Sequence, residues 1–297
     1  MEVGVSPAAT ARKARNERDP RERPTRPVNP VRHTYVADGV TVGFFTDPTV
    51  CIGCKACEVA CKEWNDVPAE PELWTGTSYD NTGQLGASTW RHVKFLEQGG
   101  DPAGGEDPLR WMFVSDVCKH CENAGCLEAC PTGSIVRTPV GSVYVQDDVC
   151  NGCGYCVVAC PFGVIDRRPE PLPAAGGAFK CTFCYDRQVD GLVPACAKAC
   201  PTESIRFGPL EEMRRAAQDR VAELARRGIG DIALYDARDT SVGGTHALFL
   251  LPGGPEPWGQ PSRPEVPTIR LRAGWTSAAL TSLGAIAAAL AAFLLVP

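Results

Sequence analysis

The sequence predicts an α+β chain: two small cysteine-bearing modules, one inserted into the other, followed by a single transmembrane helix. Three observations predict it. All 16 cysteines fall into four sets of four. Short strand-like and helical stretches are interleaved with those sets. The last stretch, Ala273–Pro297, contains no charged residue.

The first set is Cys51, Cys54, Cys57 and Cys61, spaced C-x2-C-x2-C-x3-C. Cys118, Cys121, Cys126 and Cys130 form a second set with a longer middle gap. Cys150, Cys153, Cys156 and Cys160 repeat the first spacing. The fourth set is Cys181, Cys184, Cys196 and Cys200, with eleven residues between its second and third members. Iron–sulfur cubanes are held by four thiolates, and this spacing belongs to them. Three cysteines at x2 spacing wrap a loop around three corners. The fourth, often followed by Pro, points away to the neighbouring cluster. Pro131, Pro161 and Pro201 follow the last cysteine of sets two, three and four, and Lys62 takes that place in set one. The competing chemistries fit worse. A disulfide framework expects a small secreted chain with a signal peptide, and residues 1–30 hold no apolar core. Zinc knuckles usually bring histidine, and only four histidines are present.

By the ferredoxin rule, three cysteines of one set share a cube with the last cysteine of its partner set. Pairing set one with four and two with three predicts four [4Fe-4S] clusters. Cluster A takes Cys51, Cys54, Cys57 and Cys200. Cluster B takes Cys61, Cys181, Cys184 and Cys196. Cluster C takes Cys118, Cys121, Cys126 and Cys160. Cluster D takes Cys130, Cys150, Cys153 and Cys156. So many one-electron centres in so short a segment read as a wire. No catalytic residue is assigned: there is no acid–base pair and no Gly-rich nucleotide loop. Phe162, Phe179, Phe183 and Tyr155 border the cysteines and should exclude water. Lys119 and Lys180 should adjust cluster electrostatics, and His120 should be solvent-facing or hydrogen-bonded.

In chain order, residues 1–34 are polar and Arg/Pro-rich, and read as a disordered tail with no export signal. Residues 35–208 form the four-cluster domain. Module one comes from 35–64 and 179–208, module two from 116–165, and 65–115 is an insertion. A strand within Thr34–Asp47 leads into the first loop, and Glu58–Trp64 forms a short helix whose Trp64 covers a cluster or the core. The insertion holds two strand-like runs, Trp90–Leu96 and Arg110–Ser115, and its Trp74, Trp90 and Trp111 could face a partner. Ser134–Arg137 and Ser142–Gln146 form a hairpin across T-P-V-G. The segment Tyr185–Ala195 should be a surface lobe. Residues 209–251 add an amphipathic helix, Leu210–Arg227, and strands Ile232–Tyr235 and Ala247–Leu251, packed on the domain. Six prolines make 252–268 a stiff, extended linker.

Residues 269–297 form the transmembrane helix, since a run of this length can cross about 30 Å of hydrocarbon. Gly284, Ala288 and Ala292 lie at steps of four and make a face for another membrane helix. The net charge of −5 points away from nucleic acid. Arg270 and Arg272 precede the span, and the positive-inside rule would place the cluster domain in the cytoplasm.

The stretches G-F-F-T-D-P-T-V-C-I-G-C-K-A-C-E-V-A-C-K-E-W-N, D-V-C-K-H-C-E-N-A-G-C-L-E-A-C-P-T-G, V-C-N-G-C-G-Y-C-V-V-A-C-P-F-G-V-I, F-K-C-T-F-C-Y-D-R and P-A-C-A-K-A-C-P-T-E-S-I-R-F-G carry a family resemblance. Together they resemble the iron–sulfur β subunit of respiratory formate dehydrogenases, within the four-cluster electron-transfer subunits of molybdopterin oxidoreductases. The resemblance runs over about residues 40–250. It implies a catalytic α subunit with a molybdenum or tungsten pterin that oxidises formate, a membrane cytochrome b γ subunit, and a lipid bilayer as anchor. It also implies that the domain sits on the outer, periplasm-equivalent face. The same wire in a sulfoxide or sulfur-compound reductase is the alternative reading.

Overall fold

The computed structural model describes residues 35–69, 74, 76, 80–98, 110–168 and 176–295. The expected disordered tail lies outside the described residues. Strand β1 (Val42–Thr46) leads into the first cysteine loop, and helix α1 (Ala56–Trp64) follows it. An antiparallel pair comes next, β2 (Arg91–Gln98) and β3 (Arg110–Val117), with Arg91 opposite Val117. Helix α2 (Gly125–Glu128), hairpin β4 (Ile135–Arg137) and β5 (Val143–Val145), and helix α3 (Tyr155–Ala159) carry sets two and three. A short antiparallel pair, β6 (Asp166–Arg167) and β7 (Ala178–Phe179), precedes set four, whose loops run into α4 (Tyr185–Val189) and α5 (Ala195–Ala199). The chain closes with β8 (Ile205–Pro209), α6 (Leu210–Arg226), β9 (Ile232–Tyr235), β10 (Ala247–Pro252) and α7 (Leu271–Leu295).

One four-stranded sheet, in the order β8-β1-β10-β9, organises the domain. Strand β1 runs antiparallel to β8 and parallel to β10. The strands expected to pack on the domain are part of its sheet: β10 is a central strand and β9 an edge strand. Its side chains alternate as a two-sided strand requires. Phe44, Ala247, Phe249 and Leu251 join the core on the cysteine side. Phe45, Leu248 and Leu250 face α6, packed with Leu210, Met213, Ala217 and Leu224. Helix α6 presents those four at helical spacing, begins just after Pro209, and ends at Arg226 with Gly228 just beyond. Gly43 allows the close approach: a Cβ there would lie 2.6 Å from Leu210 Cδ1 and 2.8 Å from the His246 carbonyl oxygen.

Residues 252–268 differ from the extended linker expected. Proline composition reads as a stiff spacer, but side-chain burial holds this stretch against the domain. Trp258 is buried and donates its indole N–H to the Pro252 carbonyl. Gln260 donates to Asp116 at 2.9 Å, and Tyr235 donates its hydroxyl to the Pro261 carbonyl at 2.7 Å. The Val266 amide donates to Ser241 Oγ at 2.8 Å, and Thr268 bonds Glu128 of α2. Trp258→Ala should cost about 3–5 kcal/mol, the usual range for emptying a buried aromatic site. A lowered midpoint in guanidinium unfolding, followed by loss of the visible chromophore, checks it.

Helix α7 is 25 residues, about 37 Å at 1.5 Å per residue. It is the one helix, among the described residues, long and apolar enough to cross a membrane. Leu280, Leu283, Ile286, Leu290 and Phe293 are all exposed, so the helix is not a core helix of the domain. Nothing approaches within 4 Å of a Cβ placed on Gly284.

Candidate metal centres

All 16 cysteines are free thiols. Each C-x2-C loop is built the same way. The residue just before its second cysteine takes a left-handed backbone: Gly53 (φ 67°), His120 (φ 46°), Gly152 (φ 70°) and Phe183 (φ 64°). A left-handed residue after right-handed ones turns successive backbone N–H groups into one concavity, which favours an anion. The Phe183 amide accordingly donates to Cys181 Sγ at 3.3 Å, and the Gly53 amide bonds the Cys51 thiol. Glycine takes this backbone freely; His and Phe bear strain there.

The thiols gather in four groups. Cys51 lies in the field of Cys54 and Cys200. An open cavity of about 290 Å³ is lined by Cys51, Cys54, Cys57 and Cys200. Cys61, from the same loop, instead faces Cys181, Cys184 and Cys196. Cys121 faces Cys118, Cys126 and Cys160. Those four line a second cavity, of about 330 Å³. Cys156 faces Cys150, Cys153 and Cys130.

Neighbouring groups also touch electrostatically. Cys57 feels Cys196, Cys181 feels Cys118, and Cys126 feels Cys156. The groups therefore run in the order Cys51, Cys61, Cys118, Cys150. The ends reach the surface, where Cys54 and Cys153 are exposed, while Cys61, Cys181, Cys184 and Cys196 are all buried.

Burial, the largest cause, pushes Cys57, Cys126 and Cys181 up to about 12 and Cys156 up to about 11. Nearby thiols, within a group or from the next one, push the same way. Four buried sulfurs cannot ionise together without a cation among them, which is the condition an iron–sulfur cube satisfies. Cys130 goes the other way: burial raises it, but Ser134, Thr132 and the backbone of Ile135 outweigh that and bring it to about 7. Among the described residues, no three His, Cys, Asp or Glu side chains converge tightly enough to hold a single ion. The sulfurs of two groups, around Cys51 and around Cys121, line cavities instead, as a polynuclear centre needs and a zinc ion does not.

The bordering residues divide. Phe183 is wholly buried, edge-on to Phe44 at 4.8 Å between ring centres. Phe162 and Phe179 are half-buried, but Tyr155 is 62% exposed and shields nothing. Trp64 does not cover the core: it donates to Asp186 at 2.8 Å and lies under the Arg187 guanidinium. Trp90 is buried, with its N–H on the Ala87 carbonyl, whereas Trp74 and Trp111 are exposed. His120 is buried, accepts the Val143 amide at Nδ1 and packs on Phe183 at 4.2 Å. Burial, then Lys180 and His246, hold it well below the usual histidine range, so it is neutral.

The lysines also differ. Lys119 is ion-paired to Asp116, whose carboxylate is also held by Lys94 at 3.0 Å. Burial alone would raise Asp116, but the two ammonium groups hold it well below the ordinary carboxylate range. Lys180 is buried between Cys118, Cys126 and Cys181 and bonds the Val143 and Cys181 carbonyls. Sequence reasoning missed Arg91, which is buried and donates from Nη2 to Cys196 Sγ at 3.2 Å. It also missed Glu58, buried on α1, whose carboxylate accepts the Val93 amide and pins the insertion's first strand to the first loop.

Repeated cysteine loops around a chain of buried thiol groups define an iron–sulfur electron-transfer protein of the ferredoxin type. Two families described as 4Fe-4S dicluster domains match it, over residues 50–134 and 109–210. The formate dehydrogenase-O iron–sulfur subunit of Escherichia coli K12 is 43% identical over 224 residues, 74% of this chain and 71% of that one. The formate dehydrogenase iron–sulfur subunit of Haemophilus influenzae is 41% identical over 233 residues, 78% and 71%. The B subunit of the anaerobic dimethyl sulfoxide reductase of E. coli K12 is 35% identical over 183 residues, 61% and 79%. The chain belongs to the formate dehydrogenase iron–sulfur subunit family: it carries [4Fe-4S] clusters and transfers electrons.

Proposed function

We propose that the chain carries four [4Fe-4S] clusters held as A (Cys51, Cys54, Cys57, Cys200), B (Cys61, Cys181, Cys184, Cys196), C (Cys118, Cys121, Cys126, Cys160) and D (Cys130, Cys150, Cys153, Cys156). It relays electrons from a molybdenum- or tungsten-pterin subunit that oxidises formate to a membrane cytochrome b subunit. The single observation behind this reading is the four thiol groups, each drawn from two sets, in one file from Cys54 to Cys153. Each cluster supplies one-electron storage and release. The chain's residues space the clusters, bury the ligands of B from water and leave one exposed cysteine at each end.

The same grouping supports a split arrangement: a contiguous module from 116–165 inserted between the two halves of the other, 35–64 and 179–208, with 65–115 as the further insertion. The junction before α7 sits on α2, beside Cys126 and Cys130, through Thr268 and Glu128. Electrons then enter at A and leave at D, next to the bilayer. Helix α7 is the single-pass anchor, its Gly284, Ala288 and Ala292 face meets a helix of the cytochrome subunit, and the domain lies on the outer face of the cell membrane. The sulfoxide-reductase reading has the lower identity and the shorter match.

Purified with its partners, the chain should hold about sixteen irons, four per cubane, with a broad visible band that formate bleaches. Zinc in place of iron would end the cluster reading, and a band that dithionite bleaches but formate does not would move the chain to another complex.

A further inference from the structure

Arg91 is the first residue of β2, in a run, Arg-His-Val-Lys, that reads as half-solvated. It is 1% exposed. Its guanidinium lies over the Phe44 ring at 4.6 Å. Among the described residues it makes no ion pair with a carboxylate. One arm donates to Cys196 Sγ at 3.2 Å, and the other to the Ser115 carbonyl at 3.2 Å and to Ser115 Oγ at 3.4 Å. Ser115 Oγ is in turn 3.2 Å from Cys57 Sγ. Nε has no partner among the described residues.

A guanidinium cannot shed its proton in a protein, and a buried charge without a counter-charge is strongly destabilising. Of the other buried cations beside the cysteines, Lys119 has Asp116, and Lys180 bonds the Val143 and Cys181 carbonyls. What surrounds Arg91 is cysteine: Cys57 on one side, Cys61, Cys181 and Cys196 on the other. A purely structural role would be met as well by an apolar side chain over Phe44. A charge held between two thiol groups has a use only if those groups are anionic.

We propose that Arg91 is the shared counter-charge of clusters A and B, a positioning residue for electron transfer that raises the reduction potential of both. The inference rests on the ligand grouping proposed above. Reduction adds one electron to a cluster and no proton to Arg91, so its fixed charge stabilises the reduced form over the oxidised one. Net charge and hydrogen bonds to sulfur are the levers on such potentials, and Arg91 supplies both: directly to Cys196, and through Ser115 to Cys57. Clusters C and D lie beyond its contacts.

The test is an EPR-monitored dithionite titration of the whole complex, with iron analysis, for Arg91→Gln, Arg91→Lys and Ser115→Ala. In Arg91→Gln the reduction equilibrium of A and B should fall at least tenfold, about 59 mV for a one-electron couple, while C and D stay put. Arg91→Lys should restore most of the shift, and Ser115→Ala should move A alone. If A and B do not move, or all four clusters move together, the proposal is wrong. Should Arg91→Gln assemble without A and B, the lysine variant decides. All sixteen irons there means that charge is what the site needs; the same loss in both means that shape is. EPR of the Cys61→Ser complex tests the grouping separately, without reference to Arg91: loss of the cluster held by Cys181 with A intact upholds it, and the reverse overturns it.

Discussion

Replacing Cys61 with serine removes the cluster held by Cys181, Cys184 and Cys196 and spares the one held by its own loop. Cys61 is buried and faces three thiols from beyond residue 180, not Cys51 or Cys54. A serine hydroxyl is a poor substitute for thiolate, and every other ligand of that group is buried, so no exogenous ligand can step in easily. Iron should fall by no more than one cluster's complement of four. The EPR signal of cluster A should persist, and electrons entering at A should no longer reach C. Loss of the A signal with B intact would overturn the exchange of ligands between sets.

A chain ending at Val266, expressed without partner subunits, moves from the membrane to the soluble fraction and keeps all its clusters. The cut leaves in place the burial of Trp258, the Gln260–Asp116 bond and the Val266–Ser241 bond, and removes only the short helical turn Pro267–Arg270 and α7. A second chain, ending at Gly259, loses the Gln260, Pro261 and Val266 contacts as well, and should unfold at lower denaturant. If the Val266 chain sediments with membranes after a high-salt wash, α7 is not the anchor. If both truncated chains are equally stable, the strap contributes nothing.

Local spacing made the cysteine sets, the β4–β5 hairpin, α6 and the apolar helix legible, because each is written in residues close in sequence. What was not legible depends on distant partners. Arg91 sits in a strand that looks half-solvated, and its burial follows only from where β2 packs. The parallel pairing of β1 with β10 joins the two ends of the domain, which no local pattern announces. Proline spacing described the backbone of 252–268 correctly as stiff, but Trp258 and Gln260 decide where it goes. One signal was present and unused: His120 and Phe183 occupy the loop position that Gly53 and Gly152 hold elsewhere. Aligning the four loops would have marked both as left-handed and buried beside sulfur.

The placement of β1 between β8 and β10 has a consequence for biogenesis. A ribosome delivers β1 and the first cysteine loop long before either neighbouring strand exists. The hairpin and cysteine loops between Cys118 and Cys160 are complete much sooner after they emerge. Non-local strand pairing is slow because the intervening chain must be closed first. The earliest loop translated is thus among the last to be enclosed. Its thiols stay open to iron delivery, and to oxidation, until the strand that ends at Pro252 has left the ribosome.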